Sequence, residues 1–429
     1  MNKKNAHFFL PLVLVLLTAT ISGQKSVFAR IPIGVNYAKH AHGGNPSPAA
    51  VISALRSMRI DRVRLLVPDL DLIQAFSYTG ISLLLCLHNS YVPRFASNES
   101  EAYTWVRDHV ASRYPRIRVV MLSLGSNVLT LSPDLAEFVL PAVQNVHRAL
   151  RKLGLRHVSV STTASFEALT SAFPPSGAQF HQFAAQSFFA PLLDFLSATN
   201  SSFLVDICPY DLFRTDPEIP IGFALFQEEP FSFRDDPVTG IRYRNLFDVM
   251  VDAVINGMAA LGHDDIPVVV TETGWPSSGG PGEPEASLVY AEMYNRGLVR
   301  HLAESVRDAV PETYIYLQDE DAKQGRGAEA RWGILYPNLT KKYDRFLCRG
   351  GGDGGGPLAI PALILLFLIL FLFPKKGKNS GQQNVRAVHL RQLGIRILFQ
   401  ARAGAIVFVI RPDPNSLIDS GSLDPIALI

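Results

Sequence analysis

The run Ile266-Pro-Val-Val-Val-Thr-Glu-Thr-Gly-Trp-Pro-Ser-Ser-Gly279 holds the residues best suited to chemistry. Its apolar, β-branched half predicts a strand, Val268–Glu272, that ends on a carboxylate. Gly274 then turns the chain, and Trp275 supplies an aromatic face of the kind that stacks on a sugar ring. Displacement at a sugar's anomeric carbon needs such a set: a carboxylate held rigidly at an open rim, beside a platform. The blander alternative is a strand-ending Glu272 that only caps the next helix.

A rigid carboxylate needs a scaffold, and the rest of the chain reads as one. Between Arg30 and Cys348, short apolar runs alternate with longer helical patterns. The candidate strands are Ile33–Tyr37, Arg62–Val67, Ile81–Leu87, Arg118–Leu124, His157–Thr162, Phe203–Ile207, Val268–Glu272 and Thr313–Leu317. Several are apolar on both faces, as in a parallel sheet covered by helices. Helical patterns occupy Pro48–Met58, Pro133–Leu153, Asn245–Leu261 and Glu285–Val306. Ser47-Pro48 opens the first of these with a cap followed by proline in the first turn. Strands that are each followed by a helix predict an α/β fold, a closed (β/α)8 TIM barrel over residues 30–348. An open doubly wound sheet is the runner-up. It would want a glycine-rich turn after its first strand, where this chain has Tyr37-Ala38-Lys39-His40.

Composition excludes several classes. A net charge of +2 is close to neutral, so no nucleic-acid partner is expected. The three cysteines, Cys86, Cys208 and Cys348, are too widely spaced for a metal clip or a disulfide-dense scaffold. Cys86 lies in an apolar run and reads as a buried filler. A Cys208–Cys348 bridge stays open. No metal, no cofactor and a monomer are expected.

The ends differ from the middle. Lys3 and Lys4, the apolar stretch Phe8–Leu17 and small residues near Gly23 and Ala29 read as a signal peptide over 1–29. Sequons at Asn98, Asn200 and Asn338 agree with export to the cell wall or the outer face of the plasma membrane. Residues 349–357 form a glycine-rich linker. The apolar segment 358–374 resembles a GPI-attachment signal or, in the other reading, a slightly short spanning helix. Residues 375–429 show no clear period.

The Glu272 segment resembles the active-site signature of glycoside hydrolase family 17, the plant endo-β-1,3-glucanases. Further blocks look like the family's, in order: Ile33-Gly-Val-Asn-Tyr37, Val63-Arg-Leu65 with Pro68-Asp69, Tyr243-Arg-Asn-Leu-Phe-Asp248 and Met250-Val-Asp-Ala253. Asp319-Glu320 with Lys323 and Trp332-Gly-Ile-Leu-Tyr-Pro337 complete them. The resemblance implies a retaining hydrolase of β-1,3-glucan with Glu272 as nucleophile. It also implies a glucan cleft lined by Tyr37 and Tyr210, with Phe213, Trp275, Glu320 and Lys323 contributing. Without the resemblance, Tyr210 and Phe213 could be packed loop aromatics, and Asp319, Glu320 and Asp321 a solvated acidic turn.

One departure bears on mechanism. The family ends its fourth strand in Gly-Asn-Glu, whose glutamate is the general acid/base; this chain reads Gly125-Ser126-Asn127. An amide cannot hand a proton to a departing glycosidic oxygen. Asp206 also stands where the family usually has Asn, Leu66 replaces Tyr, and Cys208-Pro209 replaces Tyr-Pro. Three functions follow as expectations: a glucan endo-1,3-β-glucosidase whose acid is another carboxylate, Glu320 or Asp206; a cell-surface β-1,3-glucan-binding protein impaired in catalysis; or a transglycosylase.

Overall fold

The computed structural model describes residues 33–39, 45–227, 232–304, 311–319 and 331–343, together with strands near the C-terminus. The predicted signal peptide, linker and 358–374 segment lie outside the described residues, as do Glu320, Lys323 and Cys348. Among the described residues, no helix is long and apolar enough to cross a membrane.

The eight predicted strands are present and close into a barrel. They are β1 (Ile33–Tyr37), β2 (Arg62–Leu65), β3 (Ser82–Leu87), β4 (Arg118–Ser126), β5 (Ser159–Ser165) and β6 (Phe203–Asp206). After a short ribbon of β7 (Arg234–Asp235) and β8 (Arg242–Tyr243) come β9 (Val268–Thr273) and β10 (Glu312–Tyr316). The ring order is β1-β10-β9-β6-β5-β4-β3-β2, and every barrel pair given a register runs parallel. The doubly wound alternative is thereby excluded, because β1 is bonded on both sides.

Alternation along each strand divides the barrel from its shell. Outward residues such as Val63, Leu65, Leu83, Leu85, Val205 and Val270 join the helices in one large core. Each such fully buried side chain contributes about 1.5–3 kcal/mol relative to exposure. Inward, Leu84, Leu204, Val269 and Tyr314 form a separate small cluster, with Met121 packed against it. This apolar layer plugs the barrel floor, as layered side chains do in this fold. Gly34 is required here, since a Cβ would lie 2.4 Å from the Tyr314 ring. The next inward position on five of the strands holds Asn36, Arg64, Cys86, Asp206 and Thr271. Polar residues thus rest on an apolar floor, at the C-terminal ends of the strands.

The helices follow their sequence signals. Ser47 accepts from Ala50 N at 3.2 Å and starts Pro48–Ser57, one residue short of the predicted end. The long helix begins at Ala136, not Pro133, because Pro133–Leu135 forms a separate 3-10 turn. The chain divides into two units, Met1–Gly350 and Gly351–Ile429. The second contains an antiparallel sheet of β11 (Val385–Leu390), β12 (Ile395–Arg402), β13 (Ala405–Pro412) and β14 (Ala427–Leu428). The sequence showed no period there. Backbone pairing between neighbours, with Arg402 opposite Ala405, organises these strands.

Candidate active site

Glu272 reaches the barrel mouth as expected, and neighbours on two other strands grip it. Arg64 on β2 donates from Nη1 to Glu272 Oε1 at 2.7 Å. The Tyr316 hydroxyl on β10 donates to Glu272 Oε2. Both carboxylate oxygens are therefore fixed, which sets the rotamer of the Glu272 side chain. Arg64 is itself wholly buried and donates to Asn36 Oδ1 at 3.3 Å and Cys86 Sγ at 3.6 Å. Asn36 in turn donates to the Thr271 carbonyl at 2.9 Å, closing the ring of contacts next to Glu272. Burial works against the Arg64 cation, but Cys86, Glu272 and Asp206 outweigh it and its pKa is raised. A permanent positive charge thus sits beneath Glu272.

A second carboxyl shares this layer. Asp206, at the end of β6, is in register with Glu272 on the adjacent strand. Its Oδ1 accepts from Thr271 Oγ1 at 2.7 Å and its Oδ2 from Asn127 Nδ2 at 2.9 Å. Burial first, and the Glu272 charge second, push the Asp206 carboxyl up to about 7, against the pull of Arg64, Thr271 and Asn127. The arithmetic of charge agrees: one buried guanidinium sits among two carboxyls, so the carboxyl without the ion pair favours its proton.

Asn127 is delivered by a local distortion. Gly125 (φ +77°) and Asn127 (φ +50°) are both left-handed, and the β4–β5 register shifts between Ser123 and Ser126. Glycine meets the first requirement freely, and Asn is among the residues that best tolerate the second. Asn89 clamps the turn, accepting from Ser126 N at 2.8 Å and donating to Ser126 O at 3.2 Å. Asn127 Oδ1 is buried and has no hydrogen-bond partner among the described residues.

Beside Asn127 opens a groove of about 630 Å³ along the ends of β4 and β5. Leu129, Thr163, Ser165, Glu167, His181 and Phe183 line it with others. Phe183 is 86% exposed, a free aromatic face of the kind that sugars stack on.

Other expected site residues are placed differently. Trp275 is corrected: its side chain is 0% exposed and cannot serve as a platform in this conformation. Its Nε1 donates to Glu285 O at 2.8 Å, and its ring packs on Tyr210, Phe213 and Tyr294 at 5.0, 5.7 and 5.7 Å. An indole this large is worth more as core than as rim, and here it supports the loop after Glu272. Tyr210 is buried between Trp275 and Trp332, and Phe213 is half-buried, so these are the packed aromatics of the blander reading. Tyr37 is also buried; among the described residues, the hydroxyls of Tyr37 and Tyr210 have no hydrogen-bond partner. Asp319 does not belong to a solvated turn. It is buried and accepts from Lys342 Nζ at 2.5 Å and Gly333 N at 3.1 Å. Cys86 is more than filler, because its sulfur touches Arg64.

Sequence reasoning assigned no role to Arg64, Tyr316, Thr271 or Phe183. Arg64 carried a usable signal, a cation flanked by Val63 and Leu65 inside a barrel strand, where burial demands an anionic partner. Among the described residues, no cluster of His, Cys, Asp and Glu could hold a metal ion.

Known proteins share this architecture. The model of glycosyl hydrolases family 17 matches residues 33–345. Glucan endo-1,3-beta-glucosidase 12 of Arabidopsis thaliana is 34% identical over 319 residues, which is 72% of this chain and 59% of that relative. The chain thus spans less than two thirds of that relative's length. A solved structure of CJP38, a beta-1,3-glucanase and allergen of Cryptomeria japonica pollen, superposes with a TM-score of 0.68 at 30% identity, covering 73% of this chain and 98% of that one. A second solved structure, one of two plant beta-glucan endohydrolases with distinct substrate specificities, gives a TM-score of 0.67 at 31% identity, covering 72% and 99%.

Proposed function

This chain belongs to glycosyl hydrolases family 17, and from that premise we propose that it is a retaining glucan endo-1,3-β-glucosidase with Glu272 as nucleophile. The observation that carries the reading is the fixing of both Glu272 oxygens by Arg64 and Tyr316 at the barrel mouth. An ion-paired carboxylate keeps its charge, and a fixed rotamer aims one oxygen at the anomeric carbon. As that carbon is attacked, a covalent glycosyl–enzyme ester forms; water then releases the sugar with retained configuration. The groove beside Asn127, with Phe183 at its wall, supports an extended glucan chain as substrate.

The test is chemical trapping. A 2-deoxy-2-fluoro β-laminaribiosyl donor with a good leaving group should leave one glycosyl adduct, on the peptide containing Glu272. An adduct elsewhere, or none at full substrate turnover, would sink the assignment.

A second reading is favoured by Asn127: a β-1,3-glucan-binding protein that does not cut. Retention on insoluble β-1,3-glucan with no soluble fragments released would establish it. Either function fits an exported protein, and the exposed sequon residues Asn98, Asn200 and Asn338 could carry glycans. Attachment to the membrane through 358–374 belongs to the same proposal.

A further inference from the structure

We propose that Asp206 is the proton donor and acceptor of this site, supplying the carboxyl that Asn127 lacks. The inference rests on Glu272 being the nucleophile and adds its missing counterpart.

Position argues first. Asp206 ends β6 in register with Glu272 on β9, so both carboxyls rise at the same level of the barrel mouth. Its Oδ2 lies 2.9 Å from Asn127 Nδ2, within hydrogen-bond reach of the amide at the end of β4. A carboxyl from β6 therefore does reach the place where β4 presents an amide.

Charge argues second. Facing Asp206 are Glu272 and Thr271 from β9, Arg64 from β2, Cys86 from β3 and Asn127 from β4. The one cation of this set is ion-paired to Glu272. Asp206 has no ion pair among the described residues, so its neutral acid is favoured until something draws the proton away. The value of about 7 belongs to a group that holds a proton in the resting site and can release it near neutrality.

The partners suit both protonation states. Thr271 Oγ1 and Asn127 Nδ2 already point donors at the carboxylate left after proton transfer. Asn127 Oδ1, buried without a partner among the described residues, offers an acceptor to the protonated form once the amide turns over. An Asn in this place can satisfy either state, which a second carboxylate could not.

The step balances. The Asp206 O–H proton passes to the glycosidic oxygen, directly or through one water, as the C–O bond breaks and a Glu272 oxygen bonds to the anomeric carbon. Asp206 is left as a carboxylate. In the second half it takes a proton from the water whose oxygen displaces Glu272.

The experiment compares Asp206→Asn and Glu272→Gln with the full-length wild type on soluble β-1,3-glucan and on 2,4-dinitrophenyl β-laminaribioside, with and without sodium azide. Asp206→Asn should lose about 100- to 10,000-fold on glucan, the usual weight of positioned proton transfer. It should keep rapid release of dinitrophenol in a first burst, because that leaving group needs no proton. Azide should restore its turnover and yield the β-configured glycosyl azide. A folded Asp206→Asn protein that cleaves glucan like wild type overturns the proposal. So does one that loses both substrates equally without azide rescue. The wild-type pH–rate profile needs no variant: an alkaline limb near 7 is expected, and a flat profile from about pH 5 to 9 would contradict it. A wild type that labels Glu272 while Asp206→Asn behaves identically overturns only the role of Asp206. One that cleaves neither substrate overturns the Glu272 reading as well.

Discussion

Restoring a glutamate at position 127 should fail unless Asp206 is changed with it. Asn127 Nδ2 donates to Asp206 Oδ2 at 2.9 Å, in a layer whose buried cation among the described residues, Arg64, already serves Glu272. Asn127→Glu removes that donor and sets a new carboxyl against the old one. Two carboxylates about 4 Å apart repel by about 4 kcal/mol at an effective dielectric of about 20. Losing a hydrogen bond to a charged group costs about 1.5–3 kcal/mol more. A proton shared between the two acids limits the loss, so Asn127→Glu should be destabilised by about 2 kcal/mol or more at pH 8 and less at pH 5. Asn127→Glu/Asp206→Asn moves carboxyl and amide between the same two strands with no added charge. It should recover the lost stability and cleave glucan at least as fast as wild type. Denaturant unfolding at the two pH values, beside release of reducing ends, reads both effects. Asn127→Glu as stable as wild type at pH 8, with a double variant no more active than the single, would refute the coupling.

Arg64→Met strands Glu272 without its cation and should cost about 3–5 kcal/mol of stability, seen as a lower denaturation midpoint. Trp275→Ala should cost about 3–5 kcal/mol as a core truncation, whereas Phe183→Ala, at an 86% exposed position, should leave stability unchanged and weaken glucan binding. Unfolding curves and binding isotherms for this pair separate platform from core. Asp206 also makes stability depend on pH. Its folded pKa of about 7 lies above the ordinary 3.8, so the stability it contributes is full below about pH 4 and lost as pH climbs through about 7. The difference is at most about 4 kcal/mol, from roughly three pKa units. Asp206→Asn should flatten that part of the stability–pH curve, and an unchanged slope would contradict the raised pKa.

The barrel was legible because its strands carry the signature of burial on both faces, as in Leu83-Leu-Leu85 and Val268-Val-Val270. The end of the Val268–Glu272 run then named Glu272 as a mouth residue without any knowledge of register, whereas Asn127 was singled out only by resemblance to the family's Gly-Asn-Glu. What sequence could not supply was the pairing across strands. Arg64 and Tyr316 sit far from Glu272 in the chain, and only closure of β1 onto β2 and β10 brings them together. That Asp206 meets Asn127 was equally out of reach of the sequence: β5 separates their strands, yet Asn127 Nδ2 donates to Asp206 Oδ2. Trp275 misled because an aromatic after a catalytic glutamate reads equally as rim or core. Burial against Tyr210, Phe213 and Tyr294 decides for core, and nothing in the local sequence encodes those partners.

Release of reducing ends from soluble β-1,3-glucan, measured for the wild-type protein beside Glu272→Gln, tests the central claim most directly. The account predicts turnover by the wild type that vanishes in the variant, with binding to insoluble glucan kept by both. Equal release by the two proteins would show that Glu272 is not the nucleophile. Binding without release by either would contradict the hydrolase and leave a barrel that holds glucan without cutting it.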